Sequence, residues 1–405
     1  MAGKNVPVTR NITFILLFTA SIMAVTGFSM FLTTTTWYVI TELDSASMLG
    51  LVLIVISVPR LIMMTYGGVV ADNYKKTTIM FSTNLIQALL LLGITWLIWN
   101  DTMTIVLLLI LAGLFGMLDA FFGPASTSML PKIVERHQLQ QANAYFQGVD
   151  QISFIAGPII AGVIMETSSV TASYFSASIL VALSALIIFP PFIKEGEVEN
   201  TVKQSPFQNF KEGFAYVYGS SFLMLGLIIL VTLNFFVFGT LHIAVPLLVD
   251  AYGGSPLNLS YMEVSLGVGM VTGTVILGNY MIAKKGRAIL YGLIAALGFY
   301  LIFGVVQSLT MLTIILFFIG FSMAFVFIPF FTAAQEMTEN RMTGRVMSLV
   351  FLAMNGFDPI AYAIVSILTT AGIPVQFILL GFGATGMIIA VSILVKAKAF
   401  QQIVP

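Results

Sequence analysis

The feature that most constrains this chain is a series of twelve apolar stretches joined by short polar connections. Stretches of roughly 20 apolar residues cross a bilayer as α-helices, since the helix satisfies its own backbone hydrogen bonds. Only 8% of the 405 residues are charged, too few to cover the surface of a soluble domain. We therefore predict an all-α membrane protein with twelve transmembrane helices, at 12–39, 48–70, 77–98, 103–129, 143–165, 170–190, 221–246, 261–282, 288–306, 311–332, 345–368 and 374–395.

Composition also excludes several functions. The net charge is zero, without a basic patch, so we expect no nucleic-acid partner. The chain has no cysteine and two histidines, too few for a thiolate or histidine-built metal site. It lacks a phosphate-binding glycine-rich loop with Lys and Ser/Thr, which argues against an ATP-driven pump. Clustered catalytic side chains are missing too, so we expect neither an enzyme nor a cofactor.

The positions of the cations predict the topology. Of 17 Lys and Arg residues, sixteen lie at the termini or in alternate connections, all on one side of the predicted spans. Cytoplasmic loops carry the excess of Lys and Arg in membrane proteins. We therefore expect both termini in the cytoplasm of a cell that we take to be bacterial, with the protein in its cell membrane. The opposite connections hold only acids: Glu42, Asp44, Asp101, Glu166 and Asp250.

The longest polar connection, residues 191–219, divides the chain into two halves with six predicted spans each. The halves resemble each other: Pro124 in the fourth span recurs as Pro329 in the tenth, 205 residues later. Internal repeats of this kind are typical of alternating-access transporters. We predict two pseudo-symmetric six-helix bundles and a cytoplasmic linker, at 1–190, 220–405 and 191–219 respectively.

Short motifs are spread over nearly the whole chain, at 68–76, 118–125, 130–134, 141–144, 157–162 and 343–349. They resemble motifs of the major facilitator superfamily, especially its branch with the macrolide efflux proteins and the enterobactin exporter. The resemblance implies the major facilitator fold and the export of a small organic molecule. It leaves the substrate open, since that branch exports unrelated molecules.

The resemblance also implies a cytoplasmic gate, where an acid ending span 2 meets the positive N-terminal end of span 11. The family usually has Arg after that acid, whereas this chain has Asn73. Nearby lysines either replace this Arg or only fix the topology. The expected gate residues are Gly68, Asp72, Lys75, Lys76, Gly344 and Arg345.

Span 5 contains a Gly-Pro pair that resembles the superfamily's antiporter motif. Proline interrupts the hydrogen-bond ladder and glycine permits close packing, so this helix can bend. The expected hinge residues are Gly157, Pro158 and Gly162. An ordinary Gly/Pro pair of a membrane helix is the alternative.

Four charged residues lie deep inside predicted spans, away from the span ends: Arg60, Asp119, Asp150 and Asp358. A charge at the bilayer centre costs roughly 2.5–3.5 kcal/mol on insertion scales, so it usually has a function. A carboxylate facing a cavity can bind a proton from one side and release it to the other. The aspartates are therefore candidate proton sites, and an ion pair between Arg60 and one of them that only fixes packing is the alternative.

Polar residues extend this candidate site. Asn143, Gln147, Asp150 and Gln151 occupy one face of span 5, which predicts a cavity wall. Asn234 and Asn355 are the corresponding candidates in the second half. We expect a secondary active exporter of a drug-like or siderophore-like molecule, coupled to proton antiport and working as a monomer in the lipid bilayer. The alternatives are a lipid or lysolipid flippase, a metallophore exporter, or a transport-inactive sensor or partner protein.

Overall fold

A computed structural model describes residues 8–43, 45–135, 138–193, 206–279, 284–339 and 342–401. Within these ranges the chain is built from helices and turns and contains no strand. The α-helices are α1 (Ile12–Thr41), α2 (Leu49–Asn73), α3 (Lys76–Trp99), α4 (Ile105–Ile133), α5 (Leu139–Thr167), α6 (Val170–Ile187), α7 (Pro206–Tyr218), α8 (Ser221–Leu233), α9 (Gly239–Ala251), α10 (Pro256–Asn279), α11 (Lys285–Val305), α12 (Leu309–Met337), α13 (Thr343–Asn355), α14 (Asp358–Thr370), α15 (Val375–Lys396) and α16 (Lys398–Gln401).

In the part of the chain that the structure describes, eleven helical segments are long and apolar enough to cross a membrane, and a shorter apolar helix spans Leu49–Met64. The predicted fold class, an all-α membrane protein of this architecture, is confirmed. Two spans are interrupted. The π-helical turn Asn234–Phe238 joins α8 to α9, and the turn at Gly356 and Phe357 separates α13 from α14.

Side-chain caps explain where several spans begin. Asn11, Thr104 and Ser169 each accept a hydrogen bond from a backbone N–H in the first turn of α1, α4 and α6. Ser220 does the same for α8. Such caps satisfy N–H groups that have no partner within the helix. The apolar runs therefore start as helices at defined residues.

The structure divides into two units. The first comprises Met1–Asp44 and Ile54–Val202, and the second comprises Ser45–Leu53 and Lys203–Pro405. The first unit thus holds α1, most of α2 and α3 to α6. The second holds the beginning of α2 and all helices from α7 onwards, so residues 206–218 of the predicted linker form a helix of the second unit.

In the first unit, α1 and α6 are joined by buried hydroxyl groups. Thr34 Oγ1 lies 2.7 Å from Ser173 Oγ, and the Tyr174 hydroxyl donates to Thr35 Oγ1 at 2.9 Å. Further along, Ser184 donates to the carbonyl oxygen of Ala20 at 2.7 Å. Apolar surface alone gives membrane helices little reason to associate in lipid, so such bonds help to hold the pair together.

The second unit uses similar bonds between helices. Thr240 on α9 bonds to the Tyr300 hydroxyl on α11. Ser265 on α10 donates to the carbonyl oxygen of Thr313 on α12 at 2.6 Å. These hydroxyl groups of both units therefore find partners across helix interfaces, which fixes the register of the helices that they join.

Candidate functional site

Arg60 on α2 and Asp119 on α4 form an ion pair in the first unit. Arg60 Nε lies 2.8 Å from Asp119 Oδ2, and the two side chains are 38% and 18% exposed. The guanidinium carbon of Arg60 also lies 4.8 Å from the ring centroid of Phe28 on α1. Arg60 is thus stabilised by a carboxylate and by the negative face of an aromatic ring. The sequence left the partner of Arg60 open, and the structure places Asp119 there.

A close approach between helices brings this pair together. Gly116 lies three residues before Asp119, and a Cβ atom at Gly116 would sit 2.3 Å from the carbonyl oxygen of Ile56. Only glycine fits there. Ile56 in turn lies four residues before Arg60, one helical turn away. The glycine therefore sets α2 and α4 at a separation that their charged side chains can bridge.

Asp150 on α5 lies within electrostatic range of this pair. Its side chain is exposed and interacts electrostatically with both Arg60 and Asp119. Asn143 and Gln151 are exposed as well, as a cavity wall would require, whereas the side chain of Gln147 lies outside the described residues. Arg60, Asp119 and Asp150 are thus a three-charge cluster with one cation, two carboxylates and an accessible edge.

Asp358 lies in the second unit as the first residue of α14, where the chain restarts a helix after a turn. It is 7% exposed, and its Oδ1 has no hydrogen-bond partner among the described residues. Gly239 at the start of α9 lies close to it, since a Cβ atom there would be 3.5 Å from Asp358 Oδ1. A buried polar atom without a partner is rare and often marks a functional site.

The two asparagines predicted for the second half donate to their own helices. Asn234 Nδ2 bonds to the carbonyl oxygen of Leu230 at 2.8 Å, and Asn355 Nδ2 bonds to that of Phe351 at 3.0 Å. Asn234 is buried at the start of the π-helical turn, while Asn355 is exposed at the end of α13. Asn234 therefore lies where the helix is irregular, and π-turns are frequent at functional sites.

The structure pairs His242 with a tyrosine that the sequence did not single out. His242 Nδ1 on α9 lies 2.8 Å from the Tyr362 hydroxyl on α14, and the His242 ring meets Phe238 edge-on. Tyr362 lies four residues after Asp358, on the same face of α14. This spacing could have indicated Tyr362 from the sequence, because a tyrosine one helical turn from an intramembrane acid is well placed to line the same space.

The gate residues are described in part. The surroundings of Gly68 and the side chain of Asp72 lie outside what the structure describes, although α2 continues to Asn73. Lys75 is exposed just before α3, and Lys76, the first residue of α3, is buried. Gly344 is exposed at the start of α13, and Arg345 Nη1 lies 2.7 Å from Glu212 Oε2 on α7. Arg345 thus has a carboxylate partner within the second unit.

The expected hinge residues Gly157, Pro158 and Gly162 are all buried in α5. A Cβ atom at Gly157 would lie 2.5 Å from Cβ of Ser29 on α1, so this glycine permits the two helices to touch. Pro158 lies inside the continuous helix. The geometry fits close packing with a weakened backbone ladder, and bending remains a prediction.

In the described part of the chain, no group of three or more His, Asp or Glu side chains could hold a metal ion. The candidate site instead consists of carboxylates, an arginine and hydroxyl groups inside membrane helices. Such groups can bind protons and polar parts of a substrate. Together with the spans they define the class of a polytopic membrane transport protein.

Residues 17–361 match the Major Facilitator Superfamily, and the chain belongs to this family of transporters. It is 25% identical over 217 residues to the macrolide efflux protein A of Enterococcus faecalis and 24% identical over 242 residues to that of Streptococcus pyogenes. These matches cover 53% and 59% of this chain but only 66% and 58% of the two relatives. The staphyloferrin A transporter of Staphylococcus aureus is 26% identical over 39% of this chain and 40% of its own length.

Solved structures agree on the fold. The nucleoside transporter NupG has a TM-score of 0.72 at 15% identity, covering 95% of this chain and 99% of its own. An auto-inhibited peptide transporter of the POT family has a TM-score of 0.76 at 10% identity, with 97% and 98% covered. At such low identity the likeness concerns the fold alone. The solved structures thus agree with a multi-pass, all-helical membrane fold.

Proposed function

We propose that this transporter exports a small organic molecule by alternating access, with protons moving in the opposite direction. In this proposal the two bundles, 1–190 and 220–405, rock about a central site and are joined by the linker 191–219. The observation that carries the proposal is the exposed Asp150 within electrostatic range of the Arg60–Asp119 pair. The names of the relatives, which include two macrolide efflux proteins, support the direction of transport.

The cluster can exchange a proton for a substrate group at one carboxylate. Asp119 is already compensated by Arg60, whereas Asp150 interacts with that arginine from a distance and has an accessible side chain. Asp150 can therefore bind and release a proton while the ion pair stays in place. A cationic or polar substrate group that approaches Asp150 would displace its proton, and a returning proton would displace the substrate. Competition for one carboxylate couples the two movements.

Asp358 is the candidate proton site of the second bundle. An ionised carboxylate buried without a partner costs several kcal/mol, so a buried Asp358 is best accommodated with a proton on it. The movement that hydrates this residue would release the proton. Asp119 keeps the alternative role of a packing partner for Arg60.

The test is proton movement in proteoliposomes. Macrolides are added as the first probe, and the pH of the lumen is followed with a trapped dye. We expect Asp150→Asn to abolish substrate-induced proton movement, because the amide has no acidic proton to exchange. Asp358→Asn should reduce it.

The matched control is Asp101→Asn. Asp101 is an exposed acid outside the spans, and its φ of 52° lies in the left-handed region that asparagine also tolerates. This variant should transport like the wild type. Undiminished proton movement in Asp150→Asn would remove this residue from the mechanism.

Growth assays separate the substrate classes. Expression in an efflux-deficient bacterium should raise the inhibitory concentration of macrolides if the cargo resembles that of the efflux relatives. Siderophore secretion from a strain lacking its own exporter is the second arm, suggested by the name of the staphyloferrin A transporter. If both arms fail, lipid or metallophore cargo and a transport-inactive sensor are the functions left to test.

A further inference from the structure

The helix α7, Pro206–Tyr218, lies immediately before a membrane span. Ser220 caps the next helix, and the span Ser221–Ala251 starts one residue later. A chain that enters the bilayer at Ser221 must pass through the headgroup region just before it. The C-terminal end of α7 therefore lies at the membrane surface, and its 13 residues cover about 20 Å at 1.5 Å per residue.

One side of α7 is fixed to the second unit. Glu212 Oε2 lies 2.7 Å from Arg345 Nη1. A Cβ atom at Gly213 would lie 3.1 Å from Cβ of Arg345, so α7 touches the first turn of α13. The Tyr216 hydroxyl also accepts a hydrogen bond from the backbone N–H of Glu339 at 3.2 Å. These contacts hold α7 against the beginning of α13 and set its rotation about its own axis.

A second side of α7 carries exposed aromatic rings. Phe210, Phe214 and Tyr218, here called the aromatic edge, follow each other at intervals of four residues and are 46%, 45% and 72% exposed. Their ring centroids are 6.3 Å and 6.5 Å apart. Four residues advance a helix by only about 40°, so the three rings form one continuous strip. A third side, with Lys211 and Ala215, is exposed beside it.

We propose that the aromatic edge is embedded in the lipid interface of the membrane that the protein itself spans. Lipid is the occupant because α7 adjoins the entry point of a span, so the bilayer is the first partner that the edge meets. Phe and Tyr are favoured where headgroups and acyl chains meet, and an amphipathic helix lies in that plane with its apolar face inward. α7 thus anchors the Arg345 end of α13 to the membrane surface through Glu212.

Site-directed spin labelling tests this directly, because the chain contains no cysteine. The variants Phe214→Cys and Ala215→Cys carry a nitroxide in the full-length protein, reconstituted in nanodiscs of phosphatidylcholine and phosphatidylglycerol. Collision with oxygen reports the acyl region, and collision with a soluble nickel chelate reports water. We expect the oxygen-to-nickel ratio to shift upward at residue 214 relative to residue 215, its matched control on the neighbouring exposed side.

A nickel-accessible label at residue 214, with a ratio no higher than that at 215, would overturn the proposal. Phe210→Cys repeats the measurement one turn earlier, so a folding defect at residue 214 does not block the test. No partner protein is present in these nanodiscs, so a protein-covered edge would give the water-exposed result. Because neither substrate nor protons are needed, the outcome does not depend on the transport function.

Discussion

At the scale of single residues, Arg60 shows how a cation is accommodated within an apolar helix. It combines the carboxylate of Asp119 with the ring face of Phe28 and keeps 38% of its side chain accessible. A carboxylate partner offsets part of the desolvation penalty that a lone charge would carry. The pair therefore contributes a compensated charge to the site at moderate cost.

We expect Arg60→Met and Asp119→Asn each to lower the melting temperature, because each leaves the other charge uncompensated. The double variant should lose less than the sum of the two. Contacting charges typically show an interaction energy of about 0.5–3 kcal/mol in such a cycle. The measurement is thermal unfolding of the purified protein in detergent. Additive losses would mean that the ion pair contributes nothing to stability.

Single charges were predictable because each acid or base stands out in an apolar span, whereas their pairing was not. Asp119, Asp150 and Asp358 were equal partners for Arg60 in the sequence. The choice depends on Gly116, which brings α4 against Ile56. Glu212 likewise could not be predicted as the partner of Arg345, since 133 residues separate this acid from this base along the chain.

At the scale of the helix, Gly157 on α5 packs directly against Ser29 on α1. A methyl group there would have to push the helices apart. This contact stabilises the packed pair whether or not Pro158 acts as a hinge.

We expect Gly157→Ala to destabilise the protein by about 1–3 kcal/mol, the usual cost of overpacking. The matched control on the same helix is Gly148→Ala, where a Cβ atom would have no heavy atom within 4 Å. Thermal unfolding of the two variants side by side checks this. Equal melting temperatures would show that α1 and α5 can separate without penalty.

Hydropathy predicted the long helices well, since a membrane span must form its own backbone hydrogen bonds and contain few charges. It failed for α7, whose 13 residues are too short and too polar to register as a span. The four-residue spacing of Phe210, Phe214 and Tyr218 was the signal for it. The π-helical turn at Asn234–Phe238 could not be read from composition, because it depends on one extra residue being accommodated between α8 and α9.

At the scale of the whole molecule, the distribution of 17 cations and 17 acids predicts its orientation. The segregation of Lys and Arg to one side of the spans is a property of the chain as a whole. The predicted sidedness rests on this charge asymmetry.

Two single-cysteine variants test the orientation. Asp101→Cys lies in the connection between α3 and α4, and Lys398→Cys lies after α15. Both positions are exposed. A membrane-impermeant maleimide added to intact cells should label residue 101, whereas residue 398 should react only after the membrane is opened. The reverse pattern would invert the predicted topology.

The hydroxyl bonds between α1 and α6 have a consequence for how the protein is made. Thr34 and Thr35 are fully buried, yet their partners Ser173 and Tyr174 are synthesised 139 residues later. While the intervening helices enter the membrane, α1 carries hydroxyl groups whose final partners do not yet exist. The packing of α1 is therefore complete only once α6 has entered the membrane, and a nascent chain that stops before α6 should leave α1 without these hydroxyl bonds.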